Sequence, residues 1–184
     1  MLKLSDTDRE LTPYMTSEDS QENFDLESTV QELSLYDFQV DALAPGIVIS
    51  QLFESNRIVP GVILTEDGKF VGMISRRRFL EYISRPFGRE LFLRRSIKSM
   101  YRFAATEVLV VPKNTLIVDA ARTSLERSPE LLYEPLVISI TPEMFRLADV
   151  HQLLVAQSQI HQLATKLIQQ QTQSHLIQTE KLAS

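Results

Sequence analysis

Ser75, Arg76, Arg77 and Arg78 stand together where a strand pattern, Phe70 to Ile74, gives way to a helical one through Phe79, Leu80 and Tyr82. A hydroxyl in the N-cap position followed by three guanidinium groups is chemistry suited to an oxyanion. First-turn N–H groups and the helix macrodipole favour negative charge there, and arginine grips phosphate through paired N–H donors. Without an anion the arrangement is unfavourable, by about 0.3–1 kcal/mol per cation, because dipole and side chains carry the same sign. Asp149 and Gln152 take the cap position and the third place beyond it at the start of a later helix. These six residues are the candidate ligand-binding set.

No catalytic constellation accompanies them. Glu66 and Asp67 lie on a turn with no histidine or metal partner, and no Ser, His and Asp stand in a triad-like motif. The absence of cysteine removes disulfides and thiolate metal sites, and His151, His161 and His175 are too scattered to form a metal-ligand cluster. The chain is therefore expected to be neither an enzyme nor a metalloprotein.

The elements that must position these residues form a repeat. Val62-Ile63-Leu64 is an apolar run of strand type, Asp67-Gly68 is a hairpin turn signal, Phe70 to Ile74 is a second strand, and Ser75 caps the helix that follows. With an offset of 74 residues and no gap, Leu136-Val137-Ile138 matches the first strand and Met144 to Ala148 the second. Asp149 then replaces Ser75, and Leu153-Leu154 replace Phe79-Leu80. Upstream, Ile47 to Glu54 has its counterpart in Leu116 to Arg122, so each copy reads strand, helix, strand, strand, helix. The fold class is α+β, with an α/β-like unit in each copy.

Over roughly Asp37 to Val155 this pattern resembles the tandem cystathionine-β-synthase (CBS) domain. The resemblance implies two copies packed as a pseudo-twofold pair with ligand clefts between them, and an adenine nucleotide or another phosphate-rich anion as ligand. In that family a Ser/Thr-x-x-Asp pattern opens the last helix of a copy, the hydroxyl meeting phosphate and the carboxylate the ribose. Ser75 fits, but Arg78 stands at the Asp position, and the second copy has Asp149 and Gln152. Phosphate recognition is thus implied without the family's ribose contact.

Around the repeats, 1–36 reads as an acidic, largely disordered tail, either solvated or an arm docking on the arginine-rich stretch further on. The first repeat is 37–84, with Leu33 to Val40 alternating like a strand at its entrance. The connector 85–106 carries Arg85, Arg89, Arg94, Arg95, Lys98 and Arg102 beside Leu91, Phe92, Ile97, Met100 and Tyr101, and is expected to pack along the pair. The second repeat is 107–155, its first helix capped by Asn114 or Thr115. The remaining 156–184 reads as a coiled-coil signalling helix.

From Val150 onward there is neither Gly nor Pro, and an unbroken helix to the end would reach about 50 Å. Leu153, Ala156, Ile160, Leu163 and Leu167 fall at alternating three- and four-residue steps, become polar at Gln170 and Ser174, and resume at Ile177. The expected dimer seam is Leu153, Ile160, Leu163, Leu167 and Ile177 in a parallel homodimer, the alternative being a helix that folds back on the domain. The final run, Gln178 to Ser184, is similar to the segment leading into the dimerisation helix of sensor histidine kinases. That likeness implies a histidine-kinase output domain in cis or a partner in trans. Neither the phosphorylated histidine nor an ATP-binding glycine motif is found in these residues.

At 184 residues with 43% hydrophobic content, the chain can bury a core. No run reaches the roughly 18–20 apolar residues of a membrane span, and the start lacks a signal-peptide core, so a cytoplasmic location is expected. A net charge of −5 argues against general nucleic-acid binding. The sequence thus points to a regulatory input module, with a stand-alone dimeric CBS-domain interaction protein as the alternative.

Overall fold

The computed structural model describes residues 23–104 and 107–183. The first repeat runs β1 (Gln39–Asp41), α1 (Ile47–Ser55), β2 (Gly61–Glu66), β3 (Lys69–Ser75) and α2 (Arg76–Ile83). After α3 (Gly88–Phe92) and α4 (Ile97–Ala104), the second runs β4 (Val110–Pro112), α5 (Ile117–Leu125), β5 (Leu136–Thr141), β6 (Met144–Ala148) and α6 (Val150–Ala183). Each repeat forms a three-stranded sheet in which the first strand is parallel to the second and the second antiparallel to the third. The mixed fold, the twin β-α-β-β-α units and the long last helix are those expected.

Local chemistry explains the hairpins. Asp67 and Gly68 both take positive φ, 50° and 75°, which a two-residue turn between twisted strands requires and which Asp-Gly tolerates. Pro142-Glu143 does the same task without positive φ. Both hairpins slip register early, between Leu64 and Thr65 and between Ser139 and Thr141.

Period-two alternation sorts the strand side chains into three apolar layers. Val62, Leu64 and Ile74 face the helices of the first repeat with Ile49, Phe53 and Phe79. Leu136, Ile138 and Ala148 face those of the second with Ile117, Ala120 and Leu153. Between the sheets lie Ile63, Met73, Val137 and Leu147, flanked by the Phe70 and Phe145 rings, stacked with centroids 4.6 Å apart.

Three expectations are corrected. Of the tail assigned to 1–36, residues 1–22 lie outside the described residues, but 23–36 is folded. Val30 and Leu33 are buried in the second repeat's core, Thr29 and Glu32 make a capping box, and Val30 N–H donates to Thr115 O at 2.9 Å. Tyr36 and Leu147 exchange backbone hydrogen bonds. The apolar residues interspersed among the acids have a surface to cover, so the alternation from Leu33 to Val40 yields a strand only at Gln39–Asp41. The connector, whose Ala105 and Thr106 lie outside the described residues, packs on the first repeat rather than along the pair. Ile97 and Met100 fill the first core, and Ile97 and Lys98 N–H groups donate to Ala44 and Ala42 carbonyls at 2.8 Å. Finally, Leu116 holds the cap position of α5 without any side-chain bond, not Asn114 or Thr115.

The first core therefore needs α4, and its sheet needs the sister sheet. Residues 37–84 expressed alone are expected to show no cooperative transition in urea followed by circular dichroism, while the full chain shows one. A sigmoidal transition in the fragment would overturn the shared-core account.

Candidate functional site

Ser75 is the last residue of β3 and the N-cap of α2. It is buried, and its Oγ accepts from Arg78 N–H at 3.1 Å. The hydroxyl is thus already engaged in starting the helix.

The three arginines that follow part company. Arg76 turns back under α2. Its Nε donates to Val59 O at 2.8 Å, Nη1 to Phe53 O at 3.1 Å and Nη2 to Asn56 O, while the guanidinium lies 4.4 Å above the Phe53 ring. Phe53 belongs to α1 and Asn56 is its C-cap, so the cation neutralises the negative end of that helix. Burial pulls the Arg76 guanidinium below its ordinary pKa, yet arginine stays charged. Its Nε and both terminal nitrogens thus each donate to a carbonyl of the first repeat, which competes with the anion role expected of Arg76. Arg77 is exposed, in the first turn of α2.

Arg78 reaches across to the second repeat. Its Nε is 3.7 Å from Glu134 Oε1, and its Nη1 is 3.6 Å from Glu81 Oε2. Glu134 is only 1% exposed, and among the described residues neither Arg78 Nε nor Glu134 Oε1 has a hydrogen-bond partner. Arg127 closes the other side: its Nη1 donates to Glu134 O at 3.0 Å and its Nη2 to Glu107 O at 3.2 Å. Burial lowers the Arg127 pKa, against the opposing pull of the Glu134 and Glu107 charges.

At the matching place in the second repeat, Asp149 Oδ1 accepts from His151 N–H at 3.2 Å, capping α6 as expected. Gln152 Nε2 donates to Tyr36 Oη at 3.4 Å, and its Oε1 is buried without a partner. The Tyr36 hydroxyl is pushed above its ordinary pKa, first by burial and then by the Asp149 charge, with the Gln152 bond opposing. The two candidate sets remain apart, one at each helix start. Tyr36, Arg127 and Glu134 were missed. The available signal for Glu134 was an acid immediately before Pro135 and a strand buried on both faces.

The expected seam divides. Leu153 and Ile160 are buried in the chain's own second core with Ala156, because α6 packs on α5, so they are not seam residues. Leu163 is half-buried, whereas Leu167, Ile177 and their neighbours Ile168 and Leu176 are exposed. A separate open recess of about 460 Å³ lies between the first repeat and the connector, lined by Pro45, Ile47, Arg89, Glu90, Leu93 and Arg94. Among the described residues no group of three or more His, Cys, Asp or Glu could hold a metal, and no helix is long and apolar enough to cross a membrane.

Residues 44–85 match the family model of the CBS domain. A CBS domain-containing protein from Thermotoga maritima superposes with a TM-score of 0.53 at 16% identity, over 71% of this chain and 94% of that one. A conserved protein from Pyrococcus horikoshii gives 0.54 at 15%, over 72% and 94%. The fold is that of a CBS-domain pair. The CBS domain of a bacterial CNNM/CorC family Mg²⁺ transporter, in complex with ATP, also gives 0.54 at 13% identity, over 73% and 89%. No curated protein matches the chain. Three residues beyond the Ser75 cap, Arg78 faces an acid from the opposite copy.

Arg76→Ala is expected to lower stability by about 1.5–3 kcal/mol in urea unfolding, because buried carbonyls lose a charged donor. Arg77→Ala should stay within about 0.5 kcal/mol. Equal effects would contradict the division of labour described.

Proposed function

We propose that this chain is a regulatory input module in which the CBS-type pair registers a phosphate-bearing ligand and α6 carries that state to an output. The observation that carries this reading is the double life of α6. Leu153, Ala156 and Ile160 belong to the core of the second repeat, while the same unbroken helix continues to Ala183 with Leu167, Ile168, Leu176 and Ile177 exposed. A shift of the helix start, where Asp149, Gln152 and Tyr36 meet, must move the arm, because a helix is stiff over a few turns.

The ligand is an adenine nucleotide or another phosphate-rich anion, held at the start of α2 by Arg77 and Arg78. Support comes from the guanidinium groups at a helix N-terminus and from the ATP named with the CNNM/CorC transporter domain. The output is a histidine-kinase-type domain, in cis or as a partner in trans, in a cytoplasmic two-component system. This rests on the likeness of Gln178 to Ser184 to the segment entering a kinase dimerisation helix. A longer parent would then be a protein histidine kinase. The arm pairs in parallel with a second copy through Leu163, Leu167 and Ile177, the seam residues left outside the core.

One observation favours the second reading, a dimeric interaction protein with no small-molecule ligand: Arg76 and Arg78 both have partners within the chain. A thermal-shift comparison at low salt separates the two. On the first reading ATP, AMP or pyrophosphate raises the melting temperature in proportion to RT ln(1 + [L]/Kd) and loses its effect in high salt; absence of any shift leaves the second. On either reading light scattering at tens of micromolar gives a dimer, and Leu167→Asp gives a folded monomer. A wild-type monomer would sink the arm as an interface.

A further inference from the structure

The carboxylate facing Arg78 has the placing of a ligand and the chemistry of one. Glu134 is 1% exposed, its Oε1 has no donor, and it points at an Arg78 Nε that has no acceptor, with 3.7 Å between them. An arginine–carboxylate pair selected for stability is normally bidentate, with N···O distances of about 2.7–2.9 Å. A pair whose Nε–Oε1 bond is not made holds the two repeats together only weakly. Glu134 therefore sits where an oxyanion would sit without satisfying the guanidinium as one would.

We propose that Glu134 is the resident occupant of the anion site at the start of α2, and that a phosphate-class anion binds by displacing it from Arg78. This rests on the reading of that helix start as a ligand site. A tetrahedral oxyanion offers several oxygens to Arg78 and to the neighbouring exposed Arg77, where the carboxylate offers one at long range. Displacement also has a direction. Glu134 is followed by Pro135 and then by β5, whose Leu136, Val137 and Ile138 are fully buried, and β5 pairs along its length with β6, which ends at the Asp149 cap of α6. Release of the carboxylate at the first repeat is thereby felt at the strand that abuts the output helix. Arg127, bonded to the Glu134 carbonyl rather than to its carboxylate, stays in place and keeps the backbone anchored.

The test is isothermal titration of the full chain with inorganic pyrophosphate and with ATP at low salt, for wild type, Glu134→Gln and the double variant Glu134→Gln/Arg78→Ala. Removing the internal competitor is expected to tighten pyrophosphate binding at least tenfold in Glu134→Gln, and the double variant should lose the gain. A gain for ATP alone would place the affinity in the nucleoside and overturn the displacement by phosphate. If wild type binds and folded Glu134→Gln binds no better, Glu134 is not the occupant, although the ligand site survives. If no variant binds either compound, the ligand site and the displacement both fall. Should Glu134→Gln not fold, Glu134→Asp withdraws the same charge by one methylene and must show the tightening instead.

Discussion

The central strand of each sheet is buried on both faces, and the rest of the architecture follows from that. Gly61 to Leu64 and Leu136 to Ile138 are consecutive buried residues, so neither strand could lie on a surface. A three-stranded sheet with one helical layer satisfies only alternate positions, Val62 and Leu64 or Leu136 and Ile138. Ile63 and Val137 are left over, and each finds the other sheet. Duplication solves this with one interface, because a unit with the same leftover face is its own complement. The stacking of Phe70 on Phe145, one ring from each sheet, closes the edge of that layer.

The same geometry resolves an electrostatic conflict at α2. Three cations in a first helical turn oppose the macrodipole, and none would be favourable in an isolated peptide. Tertiary structure gives two of them compensation. Arg76 crosses to the carbonyl end of α1, where its charge has the right sign, and Arg78 reaches acids on its own helix and on the other repeat. A cost in local structure is thus offset by contacts across elements, the combination found where a helix start has a task besides starting the helix.

The repeat was legible because its register is gapless and its strands are short apolar runs bounded by turn residues; a turn as specific as Asp67-Gly68 fixed the phase. The Ser75 and Asp149 caps were legible for the same local reason. What escaped depended on distant surfaces. Val30 and Leu33 are too few among acidic neighbours to announce a folded segment, yet they suffice once a second-repeat core awaits them. Leu153 and Ile160 keep coiled-coil steps, but an amphipathic helix packed on its own domain requires the same spacing as one packed on a partner, so periodicity alone cannot assign the face. Glu134 offers only its place before Pro135 and an apolar strand; its significance is its burial opposite Arg78, a property of the folded pair.

Beyond the core, α6 has a composition that argues about its own stability. Thr165, Thr172, Ser174 and Thr179 each turn a hydroxyl back to the carbonyl four residues earlier, contacts that slightly weaken and bend a helix. β-branched and hydroxyl residues have modest helix propensity, and most helical stability in proteins comes from covering an apolar face. Leu163, Leu167 and Ile177, on the alternating three- and four-residue steps, provide such a face, and the segment begins from a turn already held by Ile160. Ordering of the arm and covering of its stripe are therefore linked equilibria. On the proposed reading, a change at the Asp149 start needs no large displacement to be felt at the far end. It has only to alter how readily the core-held turns extend, and the association that covers the stripe amplifies the difference.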